Sequence, residues 1–292
     1  MSVAPEKTIV GFIGLGVMGK SMAGHILSAG YPLHVYTRTR ASADGLVDKG
    51  AVWEDRVSDL SAKCNVIITI VGFPKDVEEV YLGDGGILNH AGPKSFVVDM
   101  TTSSPDLAIK LYETAKEKGI QSLDAPVSGG DLGAKNAALS IMVGGDKDSF
   151  DTIKPLFEVM GKNIVYQGKA GSGQHTKMAN QIAIASGMLA VCEALGYAKK
   201  AGLDPETVLQ SIGQGAAGSW SLNNLGPRII KGDMEPGFFV KHFIKDMTIA
   251  SNSSVDLKMK TPGLDLALSL YKQLVDMGLE NKGTQALSKL FE

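Results

Sequence analysis

Near its start the chain reads TIVGFIGLGVMG, an apolar run placed directly before Gly14-Leu15-Gly16-Val17-Met18-Gly19, and a helical pattern over 20–29 follows at once. This is a G-x-G-x-x-G turn in the setting it requires, with a strand before it and a helix after it. Gly14 permits the tight turn, Gly16 lets the backbone approach a pyrophosphate with no Cβ in the way, and Gly19 lets the helix pack close to its strand. The helix start also presents unpaired N–H groups and a partial positive charge to an anion. The segment therefore predicts the first βα unit of a dinucleotide-binding Rossmann domain, with Gly14, Leu15, Gly16, Met18 and Gly19 against the cofactor. A glycine turn needed for packing alone is the competing explanation.

The rest of the first half keeps the rhythm that such a domain needs. Short β-branched runs at 8–13, 33–37, 66–71, 96–99, 121–125, 140–143 and 163–166 alternate with helical patterns at 16–29, 76–82, 105–118 and 147–160. That alternation predicts a parallel sheet covered on both faces. After Gly168 no convincing strand remains, and 172–201, 204–214, 223–231, 243–258 and 262–277 all carry helical periodicity. The reading is α/β: an N-terminal Rossmann doubly wound sheet over 1–168, then an all-α C-terminal domain over 169–292, with a long interdomain helix at the junction.

Composition narrows the function. Acidic residues number 31 against 29 basic ones, a formal charge of −2 that leaves no footprint for gripping a phosphate polymer, so nucleic acid is not an expected partner. The two cysteines, Cys64 and Cys192, lie far apart, which gives neither a disulfide framework nor a metal site; five scattered histidines add none. The start MSVAPEKT lacks a secretory pattern, and no run of about 18 apolar residues is free of charge. A cytoplasmic protein without a membrane partner is the expectation.

Where the second strand ends, an NAD-preferring site usually offers an acid to the ribose. Here the chain reads Thr37-Arg38-Thr39-Arg40. Arg38, helped by Thr37 and Thr39 and with Arg40 close by, suits a 2′-phosphate, because a guanidinium matches phosphate geometry. NADP is thus the expected cofactor and NAD the second choice. Ligands of open α/β sheets lie at the carboxyl ends of strands, which adds Val71, Gly72 and Pro74 at the end of the strand at 66–71 and Thr102 after the strand at 96–99.

Four stretches, FIGLGVMG at 12–19, DAPVSGG at 124–130, GSGQHTKMANQ at 171–181 and FIKDM at 243–247, together make the chain resemble the β-hydroxyacid dehydrogenase family over nearly its whole length. That family includes 3-hydroxyisobutyrate dehydrogenase, tartronate semialdehyde reductase, and glyoxylate and succinic semialdehyde reductases. The resemblance implies hydride transfer between NADP(H) and a short carboxylate-bearing alcohol, semialdehyde or 2-oxo acid. It also implies that Lys177 is the catalytic lysine, with Asn180 beside it in the G-x-x-x-K-x-x-N pattern that starts at Gly173. The physical reading agrees: residues three apart share a helical face, so one group transfers a proton while the other fixes the substrate oxygen. A lysine at its ordinary pKa of about 10.4 is ready to donate in the reducing direction, and oxidation asks for that pKa to be depressed.

By the same resemblance Ser128, Gly129 and Gly130 hold the substrate carboxylate, Lys245 lies along the cofactor, and Asp246 supports it or the catalytic lysine. Phe239 is a candidate wall of the substrate pocket, as is Trp220, although core packing explains either equally well. Asp124 is read only as the end of its strand. An imine reductase-like enzyme and a non-catalytic dinucleotide-binding protein are the alternatives; the former typically lacks the lysine, and the latter needs only the cofactor turn. Apolar helices after 168 suggest a homo-oligomer, a dimer or tetramer.

Overall fold

The computed structural model describes residues 3–292. Residues up to Lys177 form one compact unit and those from Met178 a second. The division falls inside a long helix, past the 168/169 boundary expected from the sequence.

The first unit is built on alternation along its strands. β1 (Val10–Ile13), β2 (Leu33–Tyr36), β4 (Val66–Thr69), β5 (Phe96–Asp99) and β6 (Gln121–Asp124) pair in parallel, with β3 (Val52–Trp53) added beyond β2. Successive side chains face opposite sides of a sheet. Val66, Ile68, Phe96 and Val98 accordingly enter one core, with Met22 and Ile26 of helix α1 (Gly19–Ser28), while Ile67 and Val97 enter another, with Tyr81 and Leu111. A sheet apolar on both faces needs helices on both, and the doubly wound order β3-β2-β1-β4-β5-β6 follows.

Beyond β6 the sheet departs from the simple parallel expectation. β7 (Val127–Ser128) and β8 (Leu139–Gly145) are joined antiparallel, β8 also runs antiparallel to β6, and β9 (Gly161–Gly168) pairs in parallel with β8. Apolar runs reveal strands but not their direction, so this reversal is not visible in the sequence. Several short pieces also escape the periodic reading: β3, β7, and the helices α2 (Asp44–Val47), α3 (Val57–Lys63), α5 (Ile87–His90) and α7 (Gly130–Lys135). Helices α4 (Pro74–Leu82), α6 (Pro105–Glu117) and α8 (Lys147–Glu158) fall where periodicity places them.

Helix α9 (Ser172–Lys200) is followed by α10 (Pro205–Ile212), α11 (Trp220–Ile230), α12 (Val240–Asp256), α13 (Pro262–Asp276) and a 3₁₀ segment, Thr284–Leu290. Met188, Cys192 and Leu195 of α9 share a core with Phe243 and Met247 of α12 and Tyr271 of α13, and the Phe243 and Tyr271 rings meet edge to face at 5.1 Å. Among the described residues α9 is the one helix long and apolar enough to cross a membrane, and Met178, Ala185, Met188, Leu189, Val191, Cys192 and Leu195 on it are buried in this core.

Candidate active site

At the glycine turn, packing requires two of the three glycines and leaves the third unexplained. Gly14 has φ +100°, and a Cβ there would overlap the Ile70 carbonyl; a Cβ on Gly19 would overlap the carbonyl of Gly14. Around Gly16 a Cβ would meet nothing within 4 Å. Packing does not ask for glycine there, whereas close approach by a pyrophosphate does. No side chain caps α1 and its first turn holds no acid, so its N–H groups stay compatible with an anion. Leu15 is buried and Met18 packs at the edge of the core.

Where β2 ends, Arg38 Nη1 lies 3.5 Å from Asp76 Oδ1, at the limit of a hydrogen bond, and the arginine side chain is 80% exposed. The other oxygen of Asp76 accepts the Phe73 N–H at 3.0 Å and so caps α4, ordering the Val71-Gly72-Phe73-Pro74 segment. Arg40 is held differently: its guanidinium sits 4.9 Å above the Trp53 ring, which stacks on Tyr36 at 6.0 Å. Thr37 is half-buried and Thr39 is exposed. Neither Asp76 nor Trp53 was signalled by the sequence as part of this neighbourhood.

A second cluster joins the ends of β5 and β6 to the start of α9. Asp99 and Asp124 are register partners on these strands, and both are buried. Asp124 Oδ1 accepts the Gly171 N–H and Oδ2 accepts the Gln174 N–H, each at 2.8 Å. Asp124 thus does more than end its strand, because it satisfies orphan donors at the N-terminus of the helix that carries Lys177. Gly173 and Gly144 allow this contact, since a Cβ on Gly173 would lie 2.8 Å from Asp124 Oδ2 and one on Gly144 would lie 2.5 Å from Oδ1. Burial pushes the Asp124 carboxyl above the ordinary range, opposed by the N–H groups of Gly171 and Gln174.

Gln174 is fully buried and brackets Thr102: its Nε2 donates to the Thr101 carbonyl at 2.7 Å and its Oε1 accepts the Ser103 N–H at 3.0 Å. Thr101 Oγ1 in turn accepts the Val71 N–H at 2.9 Å, which ties the two strand-end loops together. Burial raises the Asp99 carboxyl to about 6, against the lowering pull of hydrogen bonds from Thr101 and Thr69.

Lys177, one turn along α9 from Gln174, is only 6% exposed. Lysine is rarely buried to that degree without a functional or ionic reason. Asn180 is half-buried three residues further on; its Nδ2 donates to Gln181 Oε1 at 2.7 Å, and Gln181 Nε2 donates to Asp246 Oδ2 at 2.6 Å. On α12, Lys245 Nζ lies 2.9 Å from Asp246 Oδ1, an ion pair by distance though not a hydrogen bond by angle.

The 128–130 loop is half-buried. Ser128 is paired opposite Ser140, while Gly129 and Gly130 adopt φ of +129° and +63°, a left-handed succession that suits glycine. Phe239 precedes α12, half-buried, with the Lys241 ammonium 5.3 Å from its ring centroid. Trp220 is 56% exposed at the start of α11. Among the described residues no cluster of three or more His, Cys, Asp or Glu side chains is placed to hold a metal ion.

Residues 9–168 match the family described as the NAD-binding domain of 6-phosphogluconate dehydrogenase, and residues 171–291 match NAD-binding of NADP-dependent 3-hydroxyisobutyrate dehydrogenase. The chain belongs to the β-hydroxyacid dehydrogenase family. It is 47% identical over 286 residues to the probable 3-hydroxyisobutyrate dehydrogenase-like 1, mitochondrial, of Arabidopsis thaliana, with 98% of this chain and 85% of that one covered. The 2-hydroxy-3-oxopropionate reductase of Escherichia coli is 39% identical over 283 residues, covering 97% of each. Among solved structures, Mycobacterium tuberculosis 3-hydroxyisobutyrate dehydrogenase with L-serine superposes with a TM-score of 0.89 at 27% identity, covering 98% of this chain and 99% of that one.

A β-hydroxyacid dehydrogenase of this kind is an NAD(P)-dependent oxidoreductase. Within that family frame, Asp124, Gln174 and Gln181 are, with Asp76, Asp99 and Thr101, polar residues that sequence reasoning did not assign, and the first three concern the helix that carries Lys177. Each of these three lies inside or beside a quoted motif, and each acts through partners distant in the chain.

Proposed function

We propose that the protein transfers hydride between NADP(H) and a short carboxylate whose third carbon carries a hydroxyl or aldehyde oxygen, with Lys177 as proton donor in reduction and acceptor in oxidation. The burial of Lys177 at 6% exposure, on a helix whose start is fixed by Asp124, carries this reading. A nicotinamide dinucleotide would be held by Gly14, Leu15, Gly16, Met18 and Gly19, by Val71, Gly72, Pro74 and Thr102 at the strand ends, and by Lys245; when bound it supplies or takes the hydride.

The chain's own groups do the rest. Lys177 moves a proton to or from the substrate oxygen, a role commonly worth about 10²-fold or more in rate. Asn180 orients that oxygen. Ser128, Gly129 and Gly130 receive the substrate carboxylate with a hydroxyl and backbone N–H groups. Phe239 walls the pocket, and Asp246 fixes Lys245 through their ion pair.

The substrate class is supported by what the related proteins are named for. 3-Hydroxyisobutyrate, 2-hydroxy-3-oxopropionate and L-serine all place an oxygen on the third carbon from a carboxylate. The cofactor choice rests on Arg38, whose contact with Asp76 at 3.5 Å uses one of its several donors and leaves the exposed guanidinium suited to a 2′-phosphate, and on the NADP-dependent description of the family matched by 171–291. A cytoplasmic homo-oligomer completes the proposal.

The test is a panel of 3-hydroxyisobutyrate, L-serine, 2-hydroxy-3-oxopropionate, glyoxylate, succinic semialdehyde and methylmalonate semialdehyde, followed by NAD(P)H absorbance in both directions. Turnover of a three-carbon-spaced compound with higher kcat/KM for the phosphorylated cofactor is expected. Absence of turnover with every compound and both cofactors overturns the reading.

A further inference from the structure

Gln181 has no role in the chemistry described so far, yet it is fully buried and both ends of its amide are engaged. A buried amide is costly unless satisfied, and one satisfied at both ends transmits direction as well as stability. An ionised carboxylate only accepts hydrogen bonds. Asp246, which faces Lys245 Nζ at 2.9 Å, therefore admits only the amino end of Gln181, and Nε2 meets Oδ2 at 2.6 Å. With Nε2 committed, Oε1 is left as an acceptor towards α9. Asn180 must answer it with a donor, and Nδ2 stands 2.7 Å away.

Reversing either amide would set two acceptors against each other, Oδ1 of Asn180 on Oε1 of Gln181, or Oε1 on the Asp246 carboxylate. The two ends of an asparagine amide have nearly the same shape, so the polarity of its neighbours decides which way it faces. We propose that Gln181 is a positioning residue that locks the Asn180 amide in one orientation, with the Asp246 carboxylate setting the polarity of the relay. The inference rests on the assignment of Asn180 to the substrate oxygen. It adds that the oxygen meets an amide of fixed polarity, and that Asp246 acts on the site through Gln181 as well as through Lys245.

Two variants of the full-length enzyme separate this from simple packing. Gln181→Met keeps much of the volume and removes both polar ends. Turnover is expected to fall roughly tenfold in kcat, with the NADPH dissociation constant, read by fluorescence, unchanged within about twofold.

Gln181→Glu is the more specific variant. Protonated, its O–H donates to Asp246 and its carbonyl accepts from Asn180, which reproduces the relay. Deprotonated, it faces the Asp246 carboxylate with Lys245 as the neighbouring cation, and the relay is lost. A carboxyl beside another carboxylate titrates above its ordinary range. The variant should therefore approach wild-type kcat at low pH and lose activity as pH rises, along a limb that the wild type lacks.

An atomic-resolution structure, in which amide nitrogen and oxygen are distinguished, reads the orientation without turnover. Nδ2 of Asn180 should face Gln181 in the wild type, and the orientation should become mixed or rotated in Gln181→Met. A folded Gln181→Met with kcat and KM within twofold of wild type, a Gln181→Glu pH profile superimposable on wild type, or a reversed Asn180 amide overturns the inference. Lack of turnover by the wild type on the whole panel counts instead against the function proposed above, and the amide orientation still decides the inference.

Discussion

The carboxylate of Asp124 accepts the backbone N–H of Gln174 at 2.8 Å, and by this bond the end of a sheet strand caps the helix on which Lys177 rides. The second oxygen of Asp124 takes the Gly171 N–H, so two buried donors depend on one side chain. Asp124→Ala strands both donors and is expected to cost about 2 kcal/mol of stability. Asp124→Asn does not restore it, because an amide nitrogen would face one of the two N–H groups. Urea unfolding midpoints check this, and a midpoint unchanged in Asp124→Ala contradicts the capping role.

Stability should also depend on pH through Asp99, whose carboxyl is raised from 3.8 to about 6 by burial. A folded-state value above the unfolded one means that the native state prefers the protonated acid. The stabilisation is fully present below about pH 4 and is lost as pH rises through about 6, by roughly 3 kcal/mol for this group. Asp99→Asn keeps an acceptor for both donors, because Thr69 Oγ1 and the Thr101 N–H meet the same Oδ1 at 2.8 and 3.1 Å. Its stability between pH 4 and 6 should therefore fall less steeply than that of the wild type; equal slopes contradict the assignment.

The glycines of the first turn make opposite predictions under alanine substitution. Gly19→Ala drives a Cβ into the Gly14 carbonyl and should destabilise the fold, whereas Gly16→Ala meets nothing within 4 Å and should fold with wild-type stability. Gly16→Ala should nonetheless weaken dinucleotide binding, measured by fluorescence titration, by roughly tenfold. Unchanged affinity in Gly16→Ala would remove that position from the cofactor site.

Much of this site is legible in the chain because it is local. The turn at 14–19 carries its strand, glycines and helix within one short segment, and the motif around Lys177 likewise reads off a single helix. Asp124, Gln174 and Gln181 are not legible in this way. Their partners lie 47, 71 and 65 residues away, and a buried amide has the same letter as an exposed one. The antiparallel turn of β8 beside β6 is hidden for a related reason, since an apolar run fixes burial but not direction.

Arg38 tests the cofactor proposal. Arg38→Ala removes charge-assisted hydrogen bonds to a 2′-phosphate and should lower kcat/KM for NADPH by roughly tenfold or more, while that for NADH stays nearly constant. Equal losses with both cofactors would show that Arg38 does not discriminate between them.

The most direct test of the account is the Lys177→Ala enzyme, assayed on the best substrate of the panel beside an NADPH titration. Proton transfer by Lys177 predicts a loss in kcat of about 10²-fold or more with dinucleotide affinity nearly intact. Retention of more than about a tenth of wild-type turnover would contradict it.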